Sequence, residues 1–189
     1  MVMKIIGDSD LKQIVEISKL NLLDFSKISD VNYVENIERT GFFVAPYTLD
    51  DLKDDKNKIL LGVKKDGKIV AYIWISVDID NHKYNWCNQK FEKEIFGQKI
   101  YNLKRIGVVK EKKGQGLASE LLKSVSEYLV DKSIKYLIAS VAYSPIKNLA
   151  SIGFLQKNGF EKVAISPEVP HYKFDNYQCL LLAKRINLN

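Results

Sequence analysis

The sequence predicts a mixed α/β domain on one central, mostly antiparallel sheet flanked by helices, and three stretches predict it. "KILLGVKKDGKIVAYIWISV" is a pair of β-rich runs around Asp66-Gly67, the pattern of a hairpin. "ASELLKSVSEYLV" sets Ala118, Leu121, Leu122, Val125, Tyr128 and Leu129 on one face at helical spacing. "IKYLIASVAY" is a nearly unbroken apolar run of strand length, as expected for a strand covered on both faces. No repeat, low-complexity tract or Pro/Gly/Ser linker divides the 189 residues, so one domain over 1–189 is expected.

The elements follow in order. "MKII" reads as a first strand. "SDLKQIVEISKLNLL" reads as a helix, with Leu11, Ile14, Val15 and Ile17 on one face and Ser9 or Asp10 as its N-cap. Ser26 to Leu52 reads as a second helix and then a loop, "GFFVAPYTLDD". After the hairpin, Asp80 to Gln98 is a polar insertion with weak helical character. "KIYNLKRIGVV" is the next strand, followed by the helix and the buried strand already quoted. "SPIKNLASIGFLQKNGF" reads as a further helix with Ser144 as cap, Pro145 in the first turn and Gly159 at the left-handed close. "EKVAI" and "YQCLLLAKRI" are two last strands, joined by the loop "SPEVPHYKFDN".

Composition excludes several classes. Hydrophobic residues at 46% and charged residues at 28% are those of a globular domain. No run approaches the ~20 apolar residues of a membrane span, and "MVMKIIGDSD" turns acidic too soon for a secretory leader. Cys87 and Cys179 have no metal or redox spacing, which points to a reducing, cytoplasmic setting. With only His82 and His171 as imidazoles, the chain is read as metal-free. The net charge of +6 suits nucleic acid, a membrane surface or a phosphorylated small molecule. Its lysines are scattered and its aromatics are not interleaved with them, so a nucleic-acid module has only charge in its favour.

The exception to the scatter is "VVKEKKGQGLASELL", where Lys110, Lys112 and Lys113 lead into a glycine pair at the mouth of a helix. A helix N-terminus carries free N–H groups and about half a positive charge, which makes it an anion site. Gly114 and Gly116 let an oxyanion approach the backbone, and Lys113 adds point charge. The stretch is neither a Walker loop nor a dinucleotide fingerprint.

In its context this stretch resembles the GNAT superfamily of acetyl-CoA-dependent N-acetyltransferases. That family carries a strand ending in Val and then [Q/R]-x-x-G-x-[G/A] opening a helix. Here Val108 is followed by Lys113-Gly114-Gln115-Gly116-Leu117-Ala118 in the same register. The family's second signature is similar to Asn148, Ser151 and the closing Gly159-Phe160. The resemblance covers roughly Lys58 to Lys184. It implies an α/β fold with a strand–helix–strand–helix core for the co-substrate acetyl-CoA. The residues it assigns to that co-substrate are Ile106, Val108, Lys113, Gly114, Gln115, Gly116, Leu117, Ala118, Ser119 and Asn148.

The resemblance also implies a mechanism: an amine of a small molecule or peptide attacks the thioester directly in a ternary complex. A backbone N–H near Val108 would polarise the carbonyl. The chain departs from the family at four points. Lys113 replaces the usual Gln or Arg, and Lys110 stands where a proline is common. Leu155 stands where many members have a tyrosine that protonates the leaving thiolate, and the fourth strand lacks the usual glutamate base. Candidate bases are therefore Asp78, Asp80, Glu168 and His171, and Tyr143 is a candidate acid. The missing tyrosine leaves open an acetyl-CoA-binding sensor without catalysis. The loops expected to face the acceptor hold Phe42, Phe43, Tyr47 and Tyr172 beside Asp50, Asp51, Glu168 and Asp175, a set that suits a cationic amine. Oligomers are compatible with all of this.

Overall fold

A computed structural model describes residues 3–78, 86–87, 89–95, 97–132 and 134–186. In chain order, β1 (Met3–Ile5) precedes three helices, α1 (Leu11–Lys19), α2 (Val31–Thr40) and α3 (Leu49–Asp54). The hairpin strands β2 (Lys58–Lys65) and β3 (Lys68–Asp78) lead to α4 (Gln89–Ile95) and β4 (Ile100–Val108). Then come α5 (Leu117–Asp131), β5 (Tyr136–Ser144), α6 (Leu149–Lys157), β6 (Glu161–Ile165), β7 (Val169–His171) and β8 (Phe174–Arg185). The sheet order is β1-β2-β3-β4-β5-β8-β6, with β7 paired to β8. Every pairing is antiparallel except β4 with β5.

The β2–β3 turn forms because Asp66 and Gly67 both take positive φ, 51° and 75°, the twist a two-residue hairpin needs. One sheet face packs on α5 and α6 through Ile73, Ile75, Leu121, Leu122, Leu137 and Leu182. The other face meets α1 and α3 through Leu11, Ile14, Leu52, Tyr72 and Trp74. Gly107 lies opposite Tyr72, and a Cβ there would sit 2.2 Å from the tyrosine ring. Only glycine lets that ring cross the strand. Tyr72 can then share a buried 2.6 Å hydrogen bond with Ser18 of α1.

Two irregularities in β4 shape everything that follows. Trp74 pairs with Arg105 and Ile75 with Leu103, so Lys104 is an extra residue, a β-bulge. The bulge shifts the alternation by one. Tyr101 and Leu103 pack in the α5 layer, as do Ile106 and Val108, while Arg105 moves to the Trp74 side. The second irregularity is its partner. β4 pairs with β5 only at Tyr101–Leu137 and Asn102–Ile138, although both strands run on, to Val108 and Ser144. Beyond that point the sheet is open.

Several local expectations are corrected. Ser144 does not cap α6 and Pro145 is not in its first turn. Ser144 ends β5, the Ser144–Pro145 peptide is cis, and the cap is Asn148, whose Oδ1 accepts from the Ser151 N–H at 3.0 Å. Asp10 makes no side-chain cap bond at the start of α1; it pairs with Lys64 at 2.6 Å instead. The stretch "GFFVAPYTLDD" ends in a helix rather than a plain loop, because Thr48 and Asp51 form a capping box. "SPEVPHYKFDN" contains β7 and a tight turn into β8, with Tyr172 at φ 55°. The polar insertion holds α4, packed through Phe91 and Ile95. Among the described residues, no helix is long and apolar enough to cross a membrane.

Candidate active site

Two cavities open on either side of the β4–β5 gap. The first, of about 470 Å³, lies against the mouth of α5. Gly114 and Gly116 take φ of 78° and 82°, and a Cβ on either would project into open space. The first intrahelical bond of α5 runs from the Glu120 N–H to the Gly116 carbonyl, so the N–H groups of Leu117, Ala118 and Ser119 precede it. Among the described residues, no side chain caps them. Lys113 lines the same space from an exposed position, and among the described residues its Nζ donates to the Thr40 carbonyl at 3.4 Å. Burial, and then the neighbouring Lys110, hold its pKa below the ordinary lysine range. A lysine beside free N–H donors is an arrangement that an anion completes.

Of the residues the sequence assigned here, Ile106, Val108, Lys113, Gly114, Gly116, Leu117, Ala118 and Ser119 line this cavity. Gln115 and Asn148 do not. Gln115 turns back to donate to the Glu111 carbonyl at 3.2 Å. Asn148 is only 5% exposed, and besides capping α6 it donates from Nδ2 to the Phe42 carbonyl at 2.8 Å. Its amide fastens α6 to the loop before α3. The Val109 N–H donates to the Val70 carbonyl of β3, so by alternation the Val108 N–H faces the gap.

The second cavity, of about 400 Å³, is built from side chains that lie far apart in sequence. Phe42, Phe43, Tyr47 and Asp51 come from the loop before α3 and its first turn; Lys104 and Arg105 come from the bulge of β4. Leu155 enters from α6, and His171 and Tyr177 from the β7–β8 hairpin. The two cavities share Phe43, Ile106, Ser151 and Phe154, so they meet at the gap.

The electrostatics differ from the sequence expectation. Of the four carboxylates expected here, only Asp51 lines the cavity. Its Oδ2 accepts from the Thr48 N–H at 2.7 Å and from the Thr48 hydroxyl at 2.8 Å, bonds that lower its pKa. Arg105 is the group the sequence reading missed. It is 7% exposed, with its guanidinium 4.1 Å from the Phe43 ring centroid and 4.0 Å from that of Tyr47. Its Nη2 donates to the Ala45 carbonyl, and Nη1 is buried without a hydrogen-bond partner. Burial pulls its pKa down, and the adjacent tyrosines oppose that. The sequence offers only the Lys104-Arg105 pair within β4, with nothing to say which of the two turns inward.

Tyr177 was missed as well. Its ring lies 4.6 Å from that of His171, and burial raises its pKa, which keeps the phenol protonated. Among the proton-transfer candidates, His171 reaches the cavity, whereas Tyr143 and Glu168 are not in its wall. Lys147 covers the Tyr143 ring at 5.1 Å. Asp78 pairs with Ile100, at the end of β4 remote from Val108, and Asp80 lies outside the described residues.

A sheet opened at β4–β5, with a glycine turn on one side and a side-chain pocket on the other, defines a class of group-transfer enzyme. The Acetyltransferase (GNAT) family profile matches residues 22–160, and the chain belongs to that family. Solved structures agree in fold. The ribosomal-protein-S18-alanine N-acetyltransferase of Escherichia coli superposes with a TM-score of 0.67 at 16% identity, over 100% of this chain and 95% of that one. Arabidopsis thaliana NAA60, in complex with a bisubstrate analogue, gives 0.69 at 14% identity over 100% and 99%. An N-acetyltransferase from Staphylococcus aureus Mu50 gives 0.61 at 18% identity over 98% of each chain. At these identities the likeness is one of fold. None of the curated proteins matches the chain.

Proposed function

We propose that the protein transfers an acetyl group from acetyl-CoA to the amine of a small molecule or peptide. The observation that carries this reading is the meeting of the two cavities at Ile106, Ser151 and Phe154, which lets two reactants touch through the opened sheet. The residues fit the co-substrate. The open glycine backbone, the N–H groups at the start of α5 and the adjoining Lys113 suit a pyrophosphate. Acetyl-CoA supplies an activated thioester: a C–N bond forms to the acceptor, the C–S bond breaks, and the proton leaving nitrogen ends in solvent or on the thiolate.

The chain's own part is to place and polarise. The Val108 N–H, facing the gap, is positioned for a carbonyl oxygen that gains charge. Holding both reactants at the gap removes about 7–11 kcal/mol of the bimolecular barrier when alignment is good. His171, in the wall of the acceptor cavity, is the best supported acceptor for the amine's proton, with the protonated Tyr177 beside it. Leu155 is 3% exposed and offers no proton. The test is release of CoA thiol from acetyl-CoA against a panel of amines. Turnover of at least one amine is expected; tight acetyl-CoA binding with no turnover of any amine would point to a sensor.

A further inference from the structure

The acceptor cavity contains a buried charge that the protein answers only in part, through the neighbouring Tyr47 and Tyr72. Arg105 is buried, no carboxylate among the described residues pairs with it, and its Nη1 makes no hydrogen bond. The one carboxylate in the same wall, Asp51, is committed to Thr48. A buried cation without a counter-ion is among the costliest arrangements a fold can hold. A neutral side chain could strap the 42–47 loop at lower cost. A guanidinium is warranted if something else completes it.

We infer that Arg105 anchors a carboxylate on the acceptor, so that the acceptor is an amine that also carries a carboxylate; this rests on the N-acetyltransferase reading above. The geometry selects that group. Phe43 and Tyr47 cover the guanidinium at 4.1 and 4.0 Å from their ring centroids, which leaves recognition to its edge. On that edge Nη2 holds the Ala45 carbonyl and Nη1 holds nothing. Two nitrogens side by side in one plane match the two oxygens of a carboxylate. Because Nη1 is shielded from water, docking requires the loop that carries both rings to yield, and one carboxylate oxygen replaces the Ala45 carbonyl.

Position on β4 supports the same assignment. Ile106 lines both cavities and Arg105 lines only the acceptor cavity. The proposed anchor and the gap are thus held by neighbouring residues of one strand, whose side chains leave it on opposite faces. Among the described residues the wall sets the buried Arg105 against a single carboxylate, Asp51, that is already engaged by Thr48. That balance favours an acid-bearing amine over the cationic amine that the loop composition suggested.

The test uses the proteinogenic amino acids and their carboxamides as acceptors, with acetyl-CoA turnover read as released thiol. For the best acceptor, the free acid should have a KM roughly tenfold or more below that of its amide. Arg105→Gln should erase this preference by raising the KM of the acid alone. Arg105→Lys should keep part of it, and acetyl-CoA affinity by calorimetry should stay unchanged in both. Equal KM values for acid and amide in the wild type overturn the anchor. So does an Arg105→Gln variant that raises both KM values together, since that marks a loop strap. Turnover confined to amines without a carboxylate also overturns it, while leaving the N-acetyltransferase reading intact. Failure to bind acetyl-CoA is the separate result that removes that reading. Should Arg105→Gln not fold, the acid-to-amide ratio of the wild type against Arg105→Lys decides.

Discussion

The two cavities are made from different materials. At the mouth of α5 the groups proposed to meet the anion are backbone N–H donors beside Gly114 and Gly116, within a few residues of one another. The acceptor cavity is made of side chains from the loop before α3, the β4 bulge, α6 and the β7–β8 hairpin. A backbone site tolerates changes of side chain but not of conformation. A side-chain site depends on the elements that hold its parts together. The two should therefore fail differently, and the variants below separate those failures.

The largest effect belongs to conformation. Gly116 sits at φ 82°, where a β-branched residue is strained, and any Cβ projects into the space beside the helix mouth. Gly116→Val should weaken acetyl-CoA binding by roughly a hundredfold or more with far-UV circular dichroism unchanged. Unaltered affinity in calorimetry would show that the anion lies elsewhere. Next is Leu155, which lines the acceptor cavity and belongs to the main core cluster. Leu155→Ala should cost about 2–4 kcal/mol in urea denaturation. Because leucine has no proton to give, the pH dependence of turnover should not move. A displaced alkaline limb would mean that residue 155 shapes proton transfer after all.

Asn148 sharpens the comparison, since it stands where the family resemblance points to the co-substrate but bonds inside the protein. Asn148→Ala removes the α6 cap and releases the Phe42 carbonyl, for an expected loss of about 1–2 kcal/mol. If the amide serves chiefly to hold the acceptor loop, the acceptor KM rises while acetyl-CoA affinity is kept. The reverse pattern would return Asn148 to the co-substrate.

The contrast in materials also explains what the sequence could tell. The α5 mouth was legible because a backbone site needs local chemistry: a strand end, glycines and helical periodicity within "VVKEKKGQGLASELL". The hairpin at Asp66-Gly67 and the buried β5 were legible for the same reason. Arg105 was not. Its placement depends on Lys104 bulging out of β4, and no local rule distinguishes Lys104 from Leu103 as the unpaired residue. Its partners Phe43, Ala45 and Tyr47 come from some sixty residues earlier, and only the folded sheet brings them to it. The β7–β8 hairpin escaped because Pro167 and Pro170 read as loop, yet Val169 and His171 still pair with Tyr177 and Phe174.

Lys113 gives the smallest effect and the one with the most informative sign. Burial first, and Lys110 second, depress its pKa below the ordinary 10.5, so folding disfavours its charged form. The unfolded chain therefore binds more protons, and the apo protein should gain stability as pH rises from the depressed value toward the ordinary one. Lys113→Met should leave the apo protein equally or slightly more stable at neutral pH and flatten that alkaline gain. Affinity should move the other way. Losing the cation should weaken acetyl-CoA binding by roughly five- to tenfold, about 1 kcal/mol for one charged contact at a partly exposed site. Wild-type affinity should decline as pH climbs through the depressed pKa, and the variant should show no such decline. Calorimetric titrations and thermal melts across the alkaline range measure both slopes. A variant that is less stable at neutral pH yet binds acetyl-CoA normally would make Lys113 a structural residue, and would leave the helix mouth to hold the anion with backbone alone.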